Sequence, residues 1–136
     1  MDSNQFCAKV LMYRYESDGL EVFLEKDDND SWTLPNLVEG DEATVIHQLQ
    51  KEAGQDEHIE LDPVKCELRK RDMLAYAFEI DWRKLPKVSK RRQFIETNKG
   101  AFVVVKEAMK KNMPSEYKML KELVDVLSVR NLLRNL

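Results

Sequence analysis

The chain has 136 residues, 43% of them hydrophobic, with four Gly, four Pro and no low-complexity tract, a composition that suits one folded domain over 1–136 and excludes a disordered chain. Its 22 basic and 25 acidic side chains nearly cancel, to a formal charge of -3, which argues against a protein built to coat nucleic acid. No apolar run approaches the roughly 20 residues that span a bilayer, and the polar start MDSNQ lacks the pattern of a signal peptide, so the expected location is cytoplasmic.

In chain order, FCAKVLMY (6–13) is β-rich and mostly apolar, and LEVFLEK (20–26) follows the turn signal YESDG, so the two predict a hairpin or two neighbouring strands. SWTLP (31–35) reads as a short strand closed by Pro35, which cannot donate to a ladder. GDEATVIHQLQKEAG (40–54) predicts a helix. Val45, Ile46 and Leu49 fall at helical spacing, Asp41 and Glu42 sit where the helix dipole favours negative charge, and Gly54 supplies a stop.

Beyond it, IEL (59–61) and KCELRK (65–70) are strand candidates and DMLAYAFEIDW (72–82) is a stronger one. RKLPKVSKRRQ (83–93) reads as a polar, basic surface loop. AFVVV (101–105) predicts a buried strand and KEAMKKN (106–112) a short helix. From Pro114 onward, Tyr117, Leu120, Leu123, Val124 and Leu127 mark the apolar stripe of a helix opened by a proline suited to a first turn. Strands, a helix, more strands and then helices imply an α/β domain with a mixed sheet and helices on its faces.

Cys7 and Cys66 are far apart, stand among strand-like residues and lack a CxxC or nearby His pattern, so they read as core thiols. Tyr13 and Trp32 read as core or rim packing. The basic run Arg83, Lys84, Lys87, Lys90, Arg91 and Arg92 has aromatics only at its edges, Trp82 and Phe94. It is better read as a solvated loop than as a track for nucleic acid. The last residues, VLSVRNLLRNL, offer apolar side chains to the chain's own sheet first and to a homodimer partner second.

The order SWTLP, then Glu39-Gly40-Asp41, then an amphipathic helix ending Lys51-Glu52-Ala53-Gly54 resembles the signature of the Nudix hydrolases: Gly, five residues, Glu, seven residues, Arg-Glu-apolar-any-Glu-Glu-any-Gly-apolar. Aligned from the helix end, Glu39 takes the first Glu position, and His47 to Gly54 fall against Arg to Gly. His47 stands for the Arg, Gln48 for the first helix Glu and Lys51 for the second, while Glu52 keeps its carboxylate. The leading Gly falls on Thr33, or on Asn36 and Leu37 if the loop is shorter. The opening AKVLMYRYESDGLEVFLEK, the SWTLP ahead of the box and the later AFVVVKEAMKKNMP are also similar to the family, so the resemblance covers nearly the whole chain. It implies an α/β/α sandwich and a MutT-like pyrophosphohydrolase acting on nucleoside diphosphate-linked compounds, with dinucleoside polyphosphates the nearest class.

That chemistry uses Mg²⁺ or Mn²⁺ to neutralise phosphate and activate water. Residues three and four apart share a helix face, so positions 48, 51 and 52 keep the spacing of a metal site. On the resemblance, Glu39 and Glu52 are the metal ligands and Glu52 and Gln48 the catalytic positions. Gln48, however, brings only a neutral carbonyl oxygen and cannot act as a base. A cation at Lys51 about 4 Å from a metal opposes it by ~4 kcal/mol per unit-charge pair at an effective dielectric near 20. Lys51 fits direct contact with a substrate phosphate, or plain solvation, better than a metal shell. Asp41 and Glu42 read as helix-start charges, His47 as a structural hydrogen-bonding residue and His58 as a loop residue without a role. Glu96 and Glu107 are candidates for a late carboxylate. Two readings stay open: a metal-dependent hydrolase with a degenerate motif, and a catalytically silent Nudix fold that binds a nucleotide or a protein partner.

Overall fold

A computed structural model of the chain describes residues 6–17, 19–26, 31–53, 58–65, 72–80, 99–112 and 114–134. At its centre is β1 (Phe6–Glu16), whose alternation sends Cys7, Leu11 and Tyr13 into one apolar layer and Val10 and Met12 into the other. One edge of β1 pairs in parallel with β6 (Asp72–Glu79), from Phe6↔Asp72 to Tyr13↔Glu79. The other edge is divided. Tyr13 to Glu16 pair antiparallel with β2 (Gly19–Lys26), whereas Phe6 to Lys9 pair antiparallel with β4 (Asn36–Gly40). Between the two ladders, the Val10 N–H donates to Pro35 O at 3.0 Å. The sheet therefore forks at the middle of β1.

The β1–β2 hairpin is as expected, closed at Glu16↔Gly19, and Gly19 has a φ of 122°, a conformation glycine alone adopts without strain. β3 is only Trp32–Thr33, paired to the end of β2, and the strand β4 that follows Pro35 was missed by the sequence reading. β5 (Ile59–Lys65) is longer than the strand expected at 59–61: it runs from IEL through Asp62 and Pro63 to Lys65, with a register shift between Leu61 and Val64 that accommodates the proline. Residues 66–70, like the basic run at 83–92 and Cys66, lie outside the described residues. β7 (Gly100–Val104) pairs antiparallel with β2. The strand path is β3-β2-β1-β6-β5, with β4 added on β1 and β7 on β2, a mixed sheet of seven described strands.

Three helices are described. α1 (Glu42–Ala53) follows β4 after Asp41 alone and packs on β4 and β1. α2 (Val105–Lys111) starts directly from β7, one residue earlier than expected, and α3 (Pro114–Arg134) completes the chain's described part. Met119, Leu120, Leu123 and Leu127 of α3 are buried against Cys7, Leu11, Val22 and Leu24 of the sheet. Burying each such side chain contributes about 1.5–3 kcal/mol. Tyr117, expected on the apolar stripe, is 41% exposed instead. Leu120, Leu123 and Leu127 keep their expected places, and in the first turn Ser115 and Glu116 are the buried residues. None of the described helices is long and apolar enough to cross a membrane.

Candidate functional site

The unit β4–Asp41–α1 carries all four residues that the sequence singled out. Glu39 is on β4, paired with Cys7 of β1, while Gln48, Lys51 and Glu52 are on α1, whose periodicity gives them a common side. Lys51 is exposed, and the side chains of Glu39, Gln48 and Glu52 lie outside the described residues. Asp41 stands at the helix start, as expected, and also caps it. Its Oδ1 accepts the Thr44 N–H at 2.8 Å, and this bond, with one from the Thr44 side chain, holds its carboxyl below the usual range. Among the described residues no three His, Cys, Asp or Glu side chains gather as a metal-binding group.

A second constellation, missed by the sequence reading, fills the fork of the sheet. Lys9 and Glu116 are 6% and 4% exposed, and Lys9 Nζ lies 3.2 Å from Glu116 Oε2. Leu34, fully buried between β3 and β4, belongs to neither strand, yet both its backbone groups are satisfied. Its C=O accepts from Lys9 Nζ at 3.0 Å and its N–H donates to Glu116 Oε1 at 2.9 Å. Glu116 also accepts from Thr33 Oγ1 at 2.7 Å and from Asn112 Nδ2 at 2.8 Å. A buried carboxylate needs this many donors to offset its lost hydration.

The sequence did hold a signal for this cluster. Lys9 is the one charged residue in FCAKVLMY, and Glu116 stands four residues before Leu120 on the buried face. Glu25 belongs to the same neighbourhood, through its pairing with Thr33. Burial pushes its carboxyl above the ordinary range, and the Lys9 ammonium pulls it partly back.

The face of the sheet away from α3 is aromatic. Phe23 and Phe102 meet edge to face with centroids 5.5 Å apart, and the Arg14 guanidinium lies 4.0 Å over the Phe102 ring while Arg14 Nε binds Glu21 at 2.8 Å. His58, given no role by the sequence, stacks on Tyr76 at 5.0 Å with the rings 8° from parallel. The Tyr76 hydroxyl donates to Glu60 at 2.9 Å, and burial with that bond raises its pKa. Cys7 and Tyr13 are core residues, and Trp32 is half-buried against the core with Lys26 over its ring. Glu107 is exposed on α2, 3.5 Å from Lys110, while Glu96 lies outside the described residues.

No family model matches the chain, and no curated protein matches it by sequence. Solved structures do match its shape. The NUDIX domain of Shewanella oneidensis NrtR complexed with ADP ribose has a TM-score of 0.59 at 11% identity, covering 90% of this chain and 87% of that one. A mutT/nudix family protein from Listeria innocua has a TM-score of 0.59 at 14% identity, covering 97% and 98%. C. elegans Ap4A hydrolase in a binary complex has a TM-score of 0.55 at 15% identity, covering 90% and 97%. The forked mixed sheet, the β4–α1 unit and the helices around them are the Nudix fold.

Proposed function

We propose that this chain binds a nucleoside diphosphate-linked ligand and does not hydrolyse it efficiently. One observation carries the reading: on α1, the common side that holds the family's carboxylates is occupied by the amide of Gln48, the ammonium of Lys51 and only one carboxylate, Glu52. This donor set fits a Mg²⁺ or Mn²⁺ site poorly, because the helix offers one carboxylate to a hard cation and sets an ammonium beside it. It does suit a phosphate. Lys51 is exposed, so its ammonium can reach a ligand oxygen directly. The ADP ribose in the NrtR domain and the substrate that names Ap4A hydrolase indicate the ligand class to try first.

Calorimetric titration with ADP-ribose, dinucleoside polyphosphates, nucleotide sugars and nucleoside triphosphates, in EDTA and in Mg²⁺, tests the proposal. Saturable binding that persists in EDTA and weakens at least about tenfold, or ~1.4 kcal/mol, in Lys51→Glu is expected. Product release should stay at the level of Glu52→Gln. Metal-dependent turnover lost in Glu52→Gln would make the chain a hydrolase instead, and absence of binding across the panel would remove the nucleotide reading.

A further inference from the structure

At the end of the sheet remote from the box, a half-open cavity of about 460 Å³ lies between the β1–β2 hairpin, the start of α2 and the last turns of α3. Tyr15 and Gly19 form its hairpin side. Cys7, which faces Glu39 across the β1–β4 ladder, and Tyr15 are separated along β1 by about 26 Å, at 3.3 Å per residue. The cavity is therefore separate from the nucleotide site proposed above.

Its walls divide by chemistry. Leu20, Val105, Met109, Val124 and Leu127 make an apolar floor, in which Val105 and Leu127 are already buried in the main core, so this part of the cavity is preformed. Lys106, Ser128 and Asn131 stand at the rim, and all three are exposed. Ser128 and Asn131, three apart on α3, share one helix face. Among the described lining residues Lys106 is the one with a charge, and no acid joins it. Its neighbour Glu107 pairs with Lys110 at 3.5 Å.

The geometry points to a second ligand site here, for a small monocarboxylate with an apolar body of one or two rings. The volume falls in the range of about 300–1,000 Å³ typical of small-molecule pockets. The floor takes the rings, and the rim supplies an ammonium, a hydroxyl and an amide as donors to one carboxylate. Among the described lining residues the one charge is the Lys106 ammonium, which suits a single carboxylate.

The test is an amide-shift NMR titration of the whole chain with naphthalene-2-carboxylate and with its neutral isostere naphthalene-2-carboxamide. Saturable shifts at Gly19, Lys106, Ser128 and Asn131 are expected, with the carboxylate about fivefold tighter than the carboxamide, the strength of a rim ion pair. Lys106→Glu should abolish that preference while leaving carboxamide binding in place, and Ser128→Trp, an exposed position where the indole can cover the cavity, should remove binding of both. Equal affinity for the two probes, shifts centred elsewhere, absence of saturable shifts, or retained binding in a folded Ser128→Trp protein would each overturn the proposal. None of these results bears on the nucleotide titration, which reads a different part of the molecule.

Discussion

Lys9 and Glu116 meet at 3.2 Å in the interior, and between them they satisfy both backbone groups of Leu34. The pair stands in for a strand. Where β2 and β4 part, a buried peptide would be left without partners, and an ammonium from β1 and a carboxylate from α3 supply them.

This role changes the result expected of a double mutant. Lys9→Met or Glu116→Gln alone strands one buried charge and should cost about 3–5 kcal/mol in urea unfolding. Replacing both charges by apolar groups often restores stability to a protein with a buried ion pair. Here Lys9→Met with Glu116→Leu should remain ~2–6 kcal/mol below wild type, because the Leu34 N–H and C=O are orphaned at about 1–3 kcal/mol each. Full recovery in the double mutant would show that Leu34 does not depend on the pair.

Glu25 gives a pH dependence of definite sign. Its folded pKa is raised above the ordinary value of 4.5, chiefly by burial. The stability it contributes is thus fully present below 4.5 and is lost as pH rises through the folded value. Glu25→Gln, which stays neutral, should melt higher than wild type at pH 7, with the gap closing as pH falls toward 4. A gap of constant size across thermal scans from pH 4 to 7 would assign the effect to something other than ionisation.

Asp41 has the opposite sign. Its pKa is lowered from 3.8 by the Thr44 bonds, so its contribution is present above 3.8 and lost as pH falls through the folded value. Asp41→Ala should speed hydrogen exchange of the Thr44 amide relative to wild type at pH 7. The ratio should approach one in strong acid.

Adding carboxylates to α1 should raise its affinity for metal. Gln48→Glu with Lys51→Glu changes the common side of the helix from one carboxylate and one ammonium to three carboxylates. Mn²⁺ affinity, followed by water-proton relaxation, should rise at least about tenfold over wild type, a modest return on removing a ~4 kcal/mol repulsion. An unchanged affinity would place the metal-excluding feature outside positions 48 and 51.

Gly100 is required by a close approach rather than by its backbone angle. A Cβ there would strike the Leu24 carbonyl oxygen and come within 2.7 Å of the Phe23 ring. Gly100→Ala should therefore cost about 1–3 kcal/mol and loosen the β2–β7 pairing, seen as lost amide protection at Phe102 and Phe23.

Helical spacing was enough to read α1 and α3, and β1 and β2 were legible as β-rich apolar runs flanking a turn signal. Such signals failed at β4, where NLVEG is five residues long and contains two turn-like ends, and at β5, where Pro63 hid a continuous strand behind a register shift. The box positions were legible because they are spaced along one helix. The Lys9–Glu116 cluster was not, since its members come from β1, the β3–β4 link and the α2–α3 junction, and contacts of that range leave no local spacing. Tyr117 was misplaced for a related reason. An aromatic residue next to a glutamate looks like the buried one of the two, and only the donors gathered at the fork reverse the choice.

The register shift in β5 also governs what can associate with this protein. β5 ends the strand path, and an end strand with open N–H groups is a template for a neighbouring chain. Here Pro63 removes one donor outright, and the Asp62 N–H is already held by both oxygens of Glu122, at 3.1 and 3.0 Å. Among the described residues that border is a kinked rail with its central donors spent, which disfavours pairing with an extended segment along β5.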